Sequence, residues 1–348
     1  MPRPLAALQP SGRLYLMIAI LIFGAASAVT RKLTDIGANN LIDGRNPISF
    51  CNVLFVGNLC ALIIFIILNQ RQWRVSILKR IRPQQWLALS MVAVISSAVV
   101  PSLIFTALTI TSVNNVILIG QLDTPLALGL SVWFLGDRIN KWVVYGAILS
   151  FIGVALTVLI QPESEDVMMS AMGIQIGLGE LLVLLAALLK AIANTVSRIS
   201  LRQIPLGIFN VYRMFVGTVF FFCATFILLG PSHFMDVTAG FVWRWMLLYG
   251  AVIVVGGQLA WFKGISMSSA SEISFATAFN PLAGILAAYL ILGEVPTLGQ
   301  YVGGAVILAG IALNQVGVQR LQSSAMASAM DEPKPKQALS ESVGFEGV

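Results

Sequence analysis

Residues 121–156 read QLDTPLALGLSVWFLGDRINKWVVYGAILSFIGVAL, and residues 277–313 read TAFNPLAGILAAYLILGEVPTLGQYVGGAVILAGIAL. Pro125 aligns with Pro281 and Trp133 with Tyr289; after one inserted residue, Asp137 aligns with Glu294, Gly146 with Gly303 and Gly153 with Gly310. Segments rich in alanine and leucine align easily by chance. A mid-segment proline, an acidic residue after Leu-Gly and two glycines at matched spacing do not. The correspondence extends outward, with AVTRKL at 28–33 facing TVSRIS at 195–200 and LFVGN at 54–58 facing MFVGT at 214–218. The chain therefore reads as a tandem duplication.

Composition fixes the solvent. Of 348 residues, 57% are hydrophobic and 10% charged, with mean hydropathy +0.88, whereas globular domains carry roughly 25% charged residues to face water. So little charge means a surface that faces hydrocarbon. A net charge of +6 and a pI near 9.4 would suggest nucleic acid in a soluble chain, but in a membrane protein basic residues collect in cytoplasmic loops. Cys51, Cys60 and Cys223 all fall in apolar segments, so no secreted-type disulfide framework is indicated. The N-terminus runs into a long apolar segment without a small-residue cleavage site, which reads as a retained helix.

A helical span needs about 20 mostly apolar residues. Ten segments qualify: 14–32, 48–68, 86–108, 112–135, 141–160, 174–196, 207–229, 243–262, 270–292 and 298–318. They are too long and too uniformly apolar for the alternating strands of an outer-membrane barrel. The expected fold is all-α, with ten transmembrane helices as two five-helix repeats. The parts are a cytoplasmic N-terminus (1–13), a first repeat (14–160), an external linker (161–173), a second repeat (174–318) and a disordered cytoplasmic tail (319–348). An internal N-terminus leaves only Arg31, Lys32, Arg45 and Arg244 outside, against about fifteen basic residues inside, including the run RQWRVSILKRIR at 71–82. Both termini are then cytoplasmic. Five spans per half is an odd number, so the second copy enters the bilayer from the opposite face. Inverted repeats are a hallmark of secondary transporters, because rocking one half against the other exposes a midplane site to each side in turn.

The motif NPLAGILAAYLILGE at 280–294, the weaker PLALGLSVWFLGD at 125–137 and the flanking glycines resemble the EamA family of the drug/metabolite transporter superfamily. The resemblance spans nearly all of 14–318. It departs at Phe23, where the family usually has tryptophan, at Lys190, the counterpart of Phe23 in the second half, and at Val53, opposite Arg213. Such a resemblance implies a ten-helix transporter of small organic metabolites, such as amino acids or related compounds. It also implies a central cavity, frequent export and drive by a gradient rather than ATP. The setting would be the plasma membrane, the bacterial inner membrane.

Several residues stand out as candidates for substrate or proton binding. Asp123 lies about eleven residues into its span, close to the midplane at about 1.5 Å per residue. A central charge there costs at least about 2.5–3.5 kcal/mol and normally faces a cavity or partner. It reads either as a carboxylate that binds a cationic group or a proton, or as a structural aspartate between helices. Pro125 and Pro281 lack N–H groups, so the carbonyls of Gln121 and Thr277 should lose their helical partners beside Asp123 and Asn280. These are either broken helices lining a site or tolerated kinks. Ser271, Ser274, Thr277, Pro281 and Gly284 form one small, polar stripe, suited to a cavity or to helix packing. Lys190 could attract an anionic group, pair with a carboxylate of another helix or snorkel, and Glu180 nearer the outer surface could gate or lie at the interface. Ser269-Ala-Ser-Glu272 fits a capping box, and Arg213 fits a structural anchor. The glycine faces at 146–153 and 299–310 suit close packing, within a monomer or across a homodimer.

Other classes fit less well. One histidine, His233, in a predicted outer loop leaves no histidine-based metal cluster or Ser-His pair in the bilayer, and no Walker-type phosphate loop occurs. No cofactor, metal or nucleic acid is expected. The partners are a small solute, membrane lipid and a coupling proton or ion. A membrane enzyme, a channel and a non-transport membrane protein with a structural or receptor role remain the rivals, the channel without need of inverted halves with matched proline breaks.

Overall fold

In hydrocarbon every backbone polar group must be satisfied within the segment, and an α-helix achieves this for long apolar runs. A computed structural model describes residues 11–42, 46–48, 50–70, 78–79, 81–135, 140–160, 167–171, 174–200, 204–228, 240–268 and 270–331. These form ten rods. In the first half they are α1 (Gly12–Ala38), α2 (Phe50–Asn69), α3 (Pro83–Ile110), α4a (Val113–Gly120) continued by α4b (Asp123–Leu135), and α5 (Lys141–Leu159). In the second they are α6 (Leu178–Ser200), α7 (Leu206–Leu228), α8 (240–267), α9a (Ala270–Ala278) continued by α9b (Asn280–Leu292), and α10 (Leu298–Asp331). A π-turn interrupts the third rod of each half, at Ile95–Val99 in α3 and Gly250–Gly256 in α8. Among the described residues seven helices are, by length and composition, long and apolar enough to cross a bilayer, and Val53–Leu68 and Asn280–Leu292 are shorter apolar helices. The protein is an all-helical membrane protein built from a duplicated unit.

The two copies interlock. α1 packs against α8 and α9b of the other half, and α6 packs against α3 and α4 of the first. α2 pairs with α7 and α5 with α10. The α5–α10 seam explains the glycines picked out in the sequence. A Cβ on Gly146 would lie 2.6 Å from Gly310 O, and one on Gly153 would lie 2.7 Å from Gly303 O. The reverse approaches, from Gly310 and Gly303, are 2.7 and 2.5 Å. These symmetry-related faces therefore meet within the monomer and are not free for a dimer. Gly293, with φ +71°, occupies the left-handed position that ends α9b, where a side chain would clash with the backbone.

Three expectations need correction. Inside the expected linker 161–173, Val167–Ala171 forms β1, which pairs antiparallel with β2 (Ile174–Gly177). The sixth rod accordingly starts at Leu178, not at 174; the β-branched Val167, Ile174 and Ile176 favour strand. The last rod runs to Asp331 rather than giving way to a disordered tail at 319, since 321–331 is rich in Ala and Met and holds no proline or glycine. α1 also extends six residues past its expected end at 32, helped by an Arg31–Asp35 ion pair one turn apart, at 3.5 Å. Most of the basic run 71–82, together with Asp137, Arg138, His233, Ser269 and the tail from 332, lies outside the described residues.

Candidate functional site

The fourth rod breaks where its sequence turns polar. Gln121 caps α4a, its Nε2 donating to Ile117 O at 3.3 Å, and α4b starts at Asp123. Pro125 therefore sits in the first turn of a new helix, where its missing N–H costs nothing. The carbonyl expected to be free is not wholly so, because Gln121 O accepts from the Thr124 amide at 3.4 Å. Pro281 plays the same part in the first turn of α9b, behind a break at Phe279. Both fourth rods of the duplicated unit are thus pairs of half-helices.

Asp123 stands at the N-terminus of its half-helix, where the helix dipole favours a carboxylate. At ten residues from Val113 it lies about 15 Å into the rod, and Lys190, twelve residues from Leu178, about 18 Å into α6. The Lys190 ammonium meets Asp123 Oδ2 at 2.6 Å, and the Thr124 hydroxyl donates to Oδ1 at 3.1 Å. The sequence offered pairing with another helix as one role for Lys190, and the partner is Asp123. The Asp123 side chain is 13% exposed and that of Lys190 50%. Leu181, Leu184, Leu185 and Leu188 form the exposed apolar stripe of α6, and Lys190 and Asn194 lie exposed on the opposite side of the helix.

The remaining candidates surround the second break. Thr277 is half-buried in α9a, and Asn280 opens α9b with its Oδ1 buried and lacking a hydrogen-bond partner among the described residues. Ser274 lies in α9a, its side chain outside the described set. Phe279, the counterpart of Asp123 in the repeat, carries no charge and is exposed, so only one half supplies an ionic group at the break. Glu272 meets Arg13 Nε at 2.5 Å. Arg213 holds its guanidinium over the Phe209 ring at 5.7 Å, and its carbonyl accepts from Ser97 Oγ at 2.8 Å, which fits the structural reading.

A second polar cluster occupies the end of the bundle opposite the termini, here termed the far end. Glu180, in the first turn of α6, is buried there, 7% exposed. Its Oε1 accepts from Thr111 Oγ1 at 2.5 Å and Asn115 Nδ2 at 2.9 Å. Gln300 Nε2 donates to Asn115 Oδ1 at 2.8 Å and Ser112 Oγ at 2.9 Å. Glu294 accepts from the first amides of α4a, those of Val113 and Asn114, at 3.1 and 3.2 Å. Outside this cluster lies a cavity of about 610 Å³ bordered by Arg31, Lys32, Asp35, Thr111, Ser112 and Glu294. Sequence reading missed Thr111, Asn115 and Gln300; the polar run TSVNN at 111–115 at the head of a span was their one local signal. Among the described residues no group of three or more His, Cys, Asp or Glu side chains is placed to hold a metal.

A duplicated helical bundle with paired broken helices and an ion pair at mid-depth has the architecture of a membrane transporter. Comparison with known proteins gives the family. The EamA-like transporter family model matches residues 10–159 and again 177–315. The chain belongs to the EamA-like transporter family, whose members are transporters, not enzymes. It is 41% identical over 340 residues to a Synechocystis sp. protein named "Uncharacterized transporter sll1164", covering 98% of this chain and 96% of that one. It is 26% identical over 190 residues to the Bacillus subtilis "Uncharacterized transporter YoaV", covering 53% of this chain and 60% of that one. A solved crystal structure shares the fold at TM-score 0.58 and 16% identity, over 89% of this chain and 98% of that one.

Proposed function

We propose that this membrane transporter is a gradient-driven carrier of a small zwitterionic metabolite, an amino acid or related compound, working by alternating access in the direction of export. The observation that carries the proposal is the Asp123–Lys190 pair at a broken helix halfway through the bundle. A zwitterion splits such a pair without leaving either charge alone, its ammonium replacing Lys190 at Asp123 and its carboxylate replacing Asp123 at Lys190. The exchange of one set of charge-assisted bonds for another avoids the cost of an unpaired buried charge. A proton on Asp123 would release the same pair, which gives a route for coupling to a proton gradient. In this reading Gln121, Thr277 and Asn280 supply neutral polar groups at the two breaks, and Ser274 is the further candidate one turn before Thr277 in α9a. The basic asymmetry of the loops supports cytoplasmic termini, in a bacterial inner membrane.

The test uses proteoliposomes preloaded with a mixture of amino acids and placed under an imposed pH gradient. The proposal expects efflux of one or a few components that depends on the gradient and is lost in Asp123→Asn. Efflux that ignores both the gradient and the substitution contradicts it.

A further inference from the structure

The repeat register relates the far-end cluster to a contact at the opposite, near end. The 167-residue offset that aligns Arg31 with Arg198 places Gly12 on Gly179 and Arg13 on Glu180. The 156-residue offset that aligns Pro125 with Pro281 places Thr111 on Met267 and Asn115 on Ser271, next to Glu272. The contacts follow this register. At the far end a Cβ on Gly179 would lie 2.7 Å from Thr111 Cβ, and the next residue, Glu180, bonds Thr111 and Asn115. At the near end a Cβ on Gly12 would lie 2.7 Å from Met267 O, and the next residue, Arg13, bonds Glu272. Each half thus begins with a glycine seated on the hairpin between the third and fourth rods of the other half, followed by a charged side chain that grips the fourth rod.

The two grips differ in state. Glu180 is buried in a network of neutral donors that Gln300 extends to the last rod, and the bonds made by the Glu180 carboxylate and by Gln300 Nε2 join one repeat to the other. The Arg13–Glu272 pair is exposed, with side-chain exposures of 77% and 30%. A surface pair of this kind holds little. Lys190 and Asn194 are exposed on the face of α6 opposite its leucine stripe, ten and fourteen residues nearer the near end than Glu180.

We propose that these symmetry-related contacts are the two gates of the transport cycle. Glu180, Asn115 and Gln300 seal the far end, Arg13 and Glu272 are the gate residues of the near end, and tightening one accompanies release of the other. The inference rests on the alternating-access reading and adds its gating residues. None of them touches the mid-depth pair, so they act by positioning the two halves.

Sided labelling of Asn194→Cys tests the proposal. The full chain is used with Cys51, Cys60 and Cys223 replaced by alanine, in vesicles of each orientation, with a membrane-impermeant maleimide. The parent should label mainly from the near side. Asn115→Ala or Gln300→Ala should raise the far-side rate about three- to tenfold, the effect of one or two lost hydrogen bonds on a two-state balance. Arg13→Ala or Glu272→Ala should lower the far-side rate, and combining a near-end with a far-end substitution should return it toward the parent. The near-end pair is exposed, so its variants keep the test open if a far-end variant fails to fold. Shifts of the same sign from both ends, or no shift from either, overturn the gates. Far-side labelling absent in every variant alongside intact solute exchange overturns the gates and leaves the carrier reading standing. Fast labelling of the parent from both sides at once overturns the carrier reading itself.

Discussion

The ion pair between Asp123 and Lys190 makes an asymmetric prediction. At about 4 Å between charge centres and an effective dielectric of about 20, the attraction is about 4 kcal/mol. Lys190 is half-exposed, so solvent screening reduces the net value to about 1–2 kcal/mol. Asp123→Asn leaves a lysine that can turn to water, so it should cost about 1 kcal/mol. Lys190→Met leaves a carboxylate that is only 13% exposed without its cation, and should cost about 2–3 kcal/mol. The double variant, with no charge to strand, should recover most of that stability. Thermal unfolding in detergent measures the stability side of the cycle, and solute efflux from proteoliposomes the functional side. Transport should be lost in both single variants and stay lost in the double. A double variant that regains stability and transports at the parent rate would show that the pair only holds helices together, and would refute its role in binding.

Three further outcomes follow from the fold. Gly303→Leu should destabilise the protein by at least about 1–3 kcal/mol through overpacking, because its Cβ would meet the Gly153 carbonyl at 2.5 Å; Gly129→Leu, where the same construction meets nothing within 4 Å, should unfold within about 0.5 kcal/mol of the parent. Pro281→Ala should change stability by less than about 1 kcal/mol, since the ring sits in the first turn of α9b, yet slow transport by letting α9a and α9b join into one helix. Protease-sensitive tags at the two termini should be cleaved from the same face of oriented vesicles, as ten crossings require.

What was legible in the sequence is what local pattern encodes. Long apolar runs specified the rods, and the matched Pro125 and Pro281 marked the broken helices, with the break at Gln121–Leu122 just upstream of the first proline. Proline is accommodated at a helix start, so a half-helix begins just upstream of it. Asp123 and Lys190 were each conspicuous as charges in apolar spans, but only the packing of α4b on α6 could make them partners. The far-end cluster was less visible. Its members come from positions 111 to 300, and Glu180 read as either a gate or an interfacial group because depth along one helix says nothing about what covers that helix. Glu294 stood out only as the mate of Asp137, and its bonds to the first amides of α4a depend on how the two halves dock. The terminal helix was misread because small and polar residues were taken as disorder, when alanine and methionine sustain a helix.

The central claim is that oppositely inserted copies expose one mid-depth site to each side in turn. Counterflow in proteoliposomes tests it most directly: vesicles loaded with a high concentration of an unlabelled solute identified by efflux are diluted into a trace of the same solute bearing a label. The account predicts transient accumulation of label above its external concentration, saturable in the internal solute. Label that merely equilibrates, at a rate linear in concentration and indifferent to what is inside, would contradict it.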